Sequence, residues 1–188
     1  MEIHLRKATE NDLQTILDIL NNGTRNKVRR GDLAWGMSDH NPETVNNMIG
    51  DGLFYLALSE STPVGIFALS WQDDHMWGKQ PLDAGYVQRF AVAAGYSGQD
   101  VGGQILHLAL KEIESHGRSY LRIAVPSGNA KLRTYYENHG FTRAEYRITS
   151  VIHPAYAAAY YERAQQSQAE TVPTSIKQKS LFKKLFQK

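Results

Sequence analysis

Apolar and polar positions follow two periods along this chain, and the periods change at recognisable breaks. Ile3, Leu5 and then Lys7 alternate with polar residues, which predicts a short strand. Leu13, Ile16, Leu17 and Leu20 follow at helical spacing, and Thr9 or Asn11 can cap that helix. Asn21-Asn22-Gly23 predicts its end. Asn41-Pro42-Glu43 opens a short helix that runs to about Gly50, with proline near the first position. Residues 53–58 and 64–71 read as a hairpin across Ser59-Glu60-Ser61-Thr62. Tyr86, Val87, Phe90 and Val92 predict a strand over 84–92, before a turn at Ala94-Gly95. Val101, Ile105, Leu108 and Ile113 form a helical stripe that stops near Gly117. Leu121, Ile123 and Val125 alternate as the next strand. Asn129 can cap a helix reaching about His139, and Gly140 ends it. Residues 141–151 read as one or two closing strands. Residues 155–164 have helix-forming composition, and 165–175 read as a polar linker. The last stretch pairs Leu181 with Leu185 and Phe182 with Phe186 at i,i+4, a short basic amphipathic segment. No internal repeat is visible.

The stretch that organises the rest is the predicted strand 84–92, the glycines Gly95, Gly98, Gly102 and Gly103, and the helix from Val101. A glycine-rich turn feeding a helix N-terminus leaves backbone N–H groups unpaired and pointing one way. The helix dipole adds partial positive charge there, so the place suits a phosphate. Taken alone, the stretch is equally consistent with a nucleotide site, a pyrophosphate site or a connection that is glycine-rich for steric reasons.

The second half of the pattern distinguishes these readings. Strand, glycine turn, helix, strand, polar loop and a helix ending in Tyr-x-x-x-Gly-Phe resemble the GNAT acyltransferase superfamily. Asn129, Leu132, Tyr136, Gly140 and Phe141 match its later signature in register. Its pyrophosphate loop, usually Arg/Gln-x-x-Gly-x-Gly/Ala, is matched less closely. Ser97 stands at the Arg/Gln position, Asp100 at the first Gly position, and Gly102 keeps the last Gly. Residues 30–36, 77–78 and 86–92 also look like one bacterial branch of these enzymes. The resemblance covers about residues 1–150. It implies an α/β (α+β) fold: a central, mostly antiparallel mixed sheet of six to seven strands with helices on both faces. On this reading residues 1–152 are the acetyltransferase domain, and 153–188 a helical and polar C-terminal extension.

The resemblance also implies roles. Ser97, Gly98, Gln99, Asp100, Val101, Gly102 and Gly103 would hold the pyrophosphate of acetyl-CoA. Phe90, Ala91 and Val92 would line the thioester arm, with a backbone N–H near Val92 on the carbonyl. Asn129 and Leu132 would contact the pantetheine, and Tyr136 would protonate the departing thiolate. Family members often carry a carboxylate at the position of Gln88, and an amide cannot accept a proton usefully. Asp83, Asp73, Asp74 and His75 all lie near enough in sequence to serve as the base, directly or through water, and some members of the family rely on water alone; Asp83 and Gln88 stand with Tyr136 as the candidate catalytic residues. The Asp100 carboxylate is expected to cap the helix and to compete with phosphate for its donors. No metal is expected, because no histidine pair has ligand spacing.

Composition narrows the class. An apolar fraction of 41% and a charged fraction of 21% are those of a globular protein. No apolar run is long enough for a transmembrane segment, and the N-terminus lacks a signal-peptide pattern. The absence of cysteine excludes disulfides and thiolate chemistry and fits a cytoplasmic location. The net charge of +2 conceals a split. Residues 171–188 hold five lysines and no acid, so the body without them stands at −3. That excludes a basic body of the kind that binds nucleic acid. Arg25, Lys27, Arg29, Arg30 and Trp35 read either as a solvated basic loop or as an acceptor-side lip favouring an anionic group.

Two functions follow. The first is N-acetyl transfer from acetyl-CoA to a primary amine of a small molecule or peptide by direct attack. The alternative is a catalytically weak or inactive module that binds acyl-CoA and acts through a protein partner via the tail. Gln178-Lys179-Ser180-Leu181-Phe182 resembles peptides that dock on the bacterial sliding clamp, and a homodimer is also open.

Overall fold

Period-two strands and period-3.6 helices sort into one sheet covered on both faces. The computed structural model describes residues 1–29, 40–144 and 158–164. Its strands are β1 (His4–Lys7), β2 (Phe54–Ser59), β3 (Thr62–Ser70), β4 (Ala84–Val92), β5 (Tyr120–Pro126), β6 (Thr142–Arg143) and β7 (Ala158–Ala164). They form one seven-stranded sheet in the order β1-β2-β3-β4-β5-β7-β6. Every pairing is antiparallel except β4 with β5. The helices are α1 (Leu13–Arg29), α2 (Pro42–Gly50), α3 (Asp74–Trp77), α4 (Val101–Ser115) and α5 (Ala130–Asn138).

Alternation along the strands splits the apolar residues between two cores. Phe54, Leu56, Ile66 and Ala68 face one way and pack with Ile16, Leu20, Val45 and Ile49 of α1 and α2. Tyr55, Phe67, Val87, Ile123 and Tyr161 face the other way and pack with Ile105, Leu106 and Ile113 of α4 and Tyr136 of α5. Each buried aliphatic or aromatic side chain contributes about 1.5–3 kcal/mol against the chain entropy it must offset. The fold thus matches the expected mixed sheet with helices on both faces.

Two elements differ from expectation. Helix α1 does not stop at Gly23 but continues to Arg29. The Asn21 carboxamide is not a helix terminator. It accepts the His40 N–H at 2.8 Å, and Thr24 is buried one turn later. A tertiary bond has replaced the local stop signal. Residues 158–164, read as helical from their alanines, form strand β7 along the whole length of β5. Ala159 and Tyr161 turn into the core while Ala158 and Tyr160 alternate with them. Pairing with an open strand edge outweighs the few tenths of a kcal/mol per residue of helix propensity. The sheet therefore extends past residue 152, and this part of the extension is not helical. The tail segment and the polar linker lie outside the described residues.

One end of the sheet is closed by a buried cation. Arg122 is 1% exposed. Its guanidinium donates to the Tyr86 hydroxyl at 3.1 Å and to Glu162 Oε2 at 3.3 Å. It also pairs with Asp83 Oδ1 at 3.1 Å, without hydrogen-bond geometry at that oxygen. The rings of Trp77, Tyr86 and Tyr120 surround it. This cluster joins β4, β5 and β7 where they run side by side.

Candidate active site

Beyond that cluster the sheet opens. Parallel pairing of β4 with β5 covers only Ala84 to Tyr86 against Tyr120 to Arg122. Past it, β4 stays on β3 as far as Val92, and β5 stays on β7 as far as Pro126. The two strands therefore part in the middle of the sheet. Ala93 N–H donates to Val64 O at 2.9 Å, so Val92, one residue earlier, turns its own N–H away from β3 and into the gap.

A bulge assists the opening. Ile66 stands opposite Ala91 and Ala68 opposite Gln88, so two steps along β3 span three along β4. The extra residue falls at Arg89, whose φ is +49°. Gln88 is exposed although it lies midway along the central strand, which marks a cleft above it.

The glycine turn borders the same gap. Gln104 N–H is the first in α4 to bond within the helix, to Asp100 O at 3.2 Å. The N–H groups of Val101, Gly102 and Gly103 lie ahead of it, as donors for an anion. Gly95 and Gly98 adopt φ of +89° and +84°, and Gln99 Nε2 ties the turn to Gly95 O at 2.9 Å. A Cβ on Gly102 would overlap the Tyr135 hydroxyl and touch Phe90 and Val92 at 3.4 Å. Glycine at 102 therefore lets Tyr135, Phe90 and Val92 pack against the first turn of α4, where Gly102 itself is buried. A cavity of about 610 Å³ flanks the first turn of α4, lined among others by Gly103, His107, His139 and Arg163.

Asp100 departs from its expected role. It stands at the N-cap with φ +56° and makes no side-chain cap bond. Its Oδ1 instead meets His139 Nε2 at 3.0 Å. The carboxylate stays beside the first turn of α4, against Gly103, but bonds to the end of α5 and not to the helix N–H groups. The local pattern of an acid before a helix could not disclose that partner.

Helix α5 presents two neighbouring tyrosines differently. Tyr136 is 4% exposed and meets Phe141 edge-on at 5.4 Å. Burial pushes its phenol well above the usual tyrosine range, with a smaller contribution from Tyr135. Tyr135 lies toward the glycine turn, and its phenol is pushed up to about 12, first by burial and then by the Asp100 charge. Asn129 Oδ1 accepts the Leu132 N–H at 2.9 Å, so Asn129 caps α5, and Leu132 packs on the core.

On the opposite face of the gap, Gln88 Nε2 donates to Asp73 Oδ2 at 2.9 Å. Asp73 Oδ1 caps α3 through the Met76 N–H at 3.2 Å. Burial raises the Asp73 pKa above the ordinary carboxylate range, although the bonds from Met76 and Gln88 oppose it. The structure thus brings a carboxylate to the amide of Gln88. It does not bring Asp83 there. Asp83 pairs with Arg122 at the closed end, about 17 Å down the strand at ~3.3 Å per residue. Phe90 and Val92 pack partly buried against the core on the α4 side, Ala91 is buried in the core on the α1 and α2 side, and Ser97, Gly98, Gln99 and Val101 form the turn and first helical position. Sequence reasoning missed Tyr135 and Arg89. Only the overlap at Gly102 and the bulge disclose them. Among the described residues no cluster of histidine and carboxylate side chains is arranged to hold a metal, and no helix is long and apolar enough to cross a membrane.

Comparison with known proteins agrees with this geometry. Curated proteins give no sequence match. Among solved structures, a GNAT-family acetyltransferase from Listeria monocytogenes 4b F2365 superposes with a TM-score of 0.72 at 18% identity, over 88% of this chain and 96% of that one. The PaiA N-acetyltransferase of Thermoplasma acidophilum, solved in complex with coenzyme A, gives 0.64 at 19% identity, over 88% and 100%. A ribosomal-protein-alanine N-acetyltransferase from Brucella melitensis gives 0.62 at 19%, over 86% and 99%. The family model of the acetyltransferase (GNAT) domain matches residues 50–143, half of the chain, from the end of α2 to β6. With the parted central strands and the glycine turn at their mouth, the match shows that this chain belongs to the GNAT acetyltransferase family.

Proposed function

We propose that the protein transfers an acetyl group from acetyl-CoA to a primary amine by direct attack. The observation that carries this reading is the gap between β4 and β5, which has unpaired backbone donors on one side and the Gln88–Asp73 pair on the other. The residues fit the coenzyme. Gly95 and Gly98 take the positive φ that the turn needs and have open space beside them, and the N–H groups of residues 101–103 suit a pyrophosphate. The Val92 N–H is oriented to donate a hydrogen bond to a thioester oxygen and so stabilise the negative charge that develops there. That coenzyme A accompanies the Thermoplasma and Neisseria gonorrhoeae relatives supports the same choice.

Each residue then has a task. The amine nitrogen forms the new C–N bond as the C–S bond breaks. Asp73, oriented by Gln88, takes the proton that the nitrogen loses. Its raised pKa makes it a better base than an exposed carboxylate. Tyr136 gives a proton to the departing sulfur; burial that raises the phenol's pKa makes it a weaker acid, and the same exclusion of water makes the thiolate a stronger base. Tyr135, beside Gly102, contacts the phosphate end rather than the sulfur. A panel of primary amines with acetyl-CoA, monitored by release of free thiol, tests the reading. Amine-dependent release is expected. Tight acetyl-CoA binding with no release on any amine would overturn it.

A further inference from the structure

The acceptor cleft holds a cation that the transfer chemistry does not use. Arg89 is the extra residue of the bulge in β4, and its α-carbon is ~3.8 Å from that of Gln88. It is partly buried, and burial alone pushes its pKa down. Its one described partner is a histidine. Arg89 Nη1 lies 2.9 Å from His40 Nδ1. A guanidinium can only donate, so Nδ1 must accept, which makes His40 neutral with its proton on Nε2. That nitrogen lies 3.1 Å from Thr24 Oγ1 on α1. The His40 main chain is in turn fixed by Asn21. The imidazole is thus clamped from behind and orients the guanidinium without neutralising it. No carboxylate pairs with Arg89 among the described residues. This contrasts with Arg122, which has two carboxylates at the closed end of the same strands.

A half-buried charge without a counter-ion costs stability, and here the backbone adds strain. A non-glycine residue at φ +49° lies in the left-handed region, which a Cβ disfavours. Adjacent residues of the bulge therefore lead to two opposite charges: Gln88 to the Asp73 carboxylate it holds, and Arg89 to its own guanidinium, with N–H donors to spare.

From this we infer that Arg89 determines acceptor specificity, selecting amines that also carry a carboxylate. The inference rests on the acetyltransferase reading above. The amine nitrogen lies at Asp73, and the acceptor carboxylate replaces the missing counter-ion of Arg89. A planar guanidinium can take both carboxylate oxygens at once, which discriminates against a carboxamide of the same shape.

The test uses the full chain and matched amines, each as free carboxylate and as carboxamide. Glycine with glycinamide, β-alanine with its amide and glutamine with glutamine α-amide are suitable pairs. For the best pair, kcat/KM should favour the carboxylate by roughly 10- to 100-fold, the range for a charged hydrogen bond. Arg89→Gln should bring that ratio close to one, chiefly through KM, and Arg89→Lys should keep part of it. Arg89→Gly guards against misfolding, because glycine relaxes the φ of +49° while removing the cation, and it should lose the preference too. The shift in melting temperature caused by each amine, with coenzyme A present, reads the same selection without turnover. Turnover with no carboxylate preference in the wild type, or a preference surviving both Gln and Gly, overturns the inference and leaves the acetyltransferase reading intact. Carboxylate-dependent stabilisation that Arg89→Gln abolishes, without turnover of any amine, overturns the acetyltransferase reading and leaves the anion site standing. Absence of both turnover and carboxylate-dependent stabilisation overturns both.

Discussion

The two sides of the parted strands are built from different materials. The side toward α4 is mostly main chain: N–H groups of a glycine turn, a helix N-terminus and the edge of β4. It comes from one contiguous stretch, residues 92–103. The side toward α1 and α2 is made of side chains: Asp73 from the turn before α3, Gln88 and Arg89 from the bulge, and His40 from the start of α2. Main-chain donors bind an anion whatever the neighbouring side chains are, provided the glycines keep the approach open. Side-chain recognition depends on each residue, and a single substitution can redirect it. A coenzyme shared by many enzymes suits the first arrangement, and an acceptor particular to one enzyme suits the second.

The division can be broken most severely at Asp73. Asp73→Asn should lower kcat/KM by roughly 10²–10⁴-fold, the range for a positioned base. Acetyl-CoA affinity should stay within a factor of two or so of wild type, because asparagine also caps α3. The pH profile gives a second reading. Asp73 must be ionised to accept a proton, and burial raises its pKa. Wild-type kcat/KM should therefore fall as pH drops through a value above the ordinary carboxylate range, and Asp73→Asn should lack that limb. An unchanged acid limb in the mutant would assign the base elsewhere.

The tyrosines of α5 sharpen the comparison at intermediate scale. Tyr136→Phe should cut kcat by about 10²-fold or more with acetyl-CoA binding little changed. Tyr135→Phe should instead weaken acetyl-CoA binding by roughly 3- to 10-fold, the scale of one hydrogen bond, with a smaller effect on kcat. Calorimetry and steady-state kinetics on both variants decide the matter, and the opposite assignment would exchange their roles.

The smallest effect is expected at Asp100. Asp100→Gly relieves a residue at φ +56° and removes a negative charge beside the helix donors. The bond it gives up to His139 is largely exposed on the Asp100 side and contributes little. Stability should rise by up to ~1 kcal/mol and acetyl-CoA should bind a few-fold more tightly. A lower melting temperature would show that the Asp100–His139 contact is needed to hold α5 against the turn.

Much of the molecule is legible in the chain because its signals are local. Alternation places β2 to β5, helical stripes place α1 and α4, and Asn129 and Gly140 bound α5 as capping chemistry requires. The glycine turn announces the phosphate side, since a tight turn before a helix is a property of consecutive residues. What the chain could not disclose depended on partners distant in sequence. Gly23 reads as a stop until His40 occupies the carboxamide of Asn21. Residues 158–164 read as helix until β5 offers an edge. Asp83 and Asp73 are equally plausible bases by sequence distance, and the register of β4 separates them by directing one to Arg122 and the other to Gln88. Sequence alone determined β2 to β5, α1 and α4, the two apolar faces and the glycine turn before α4, because hydrophobic period and backbone conformation act over a few residues. Tertiary structure alone decided where the strands part, which carboxylate meets the amide and which cation has no carboxylate partner among the described residues. A side chain's charge acts only on what folding brings within a few ångströms of it.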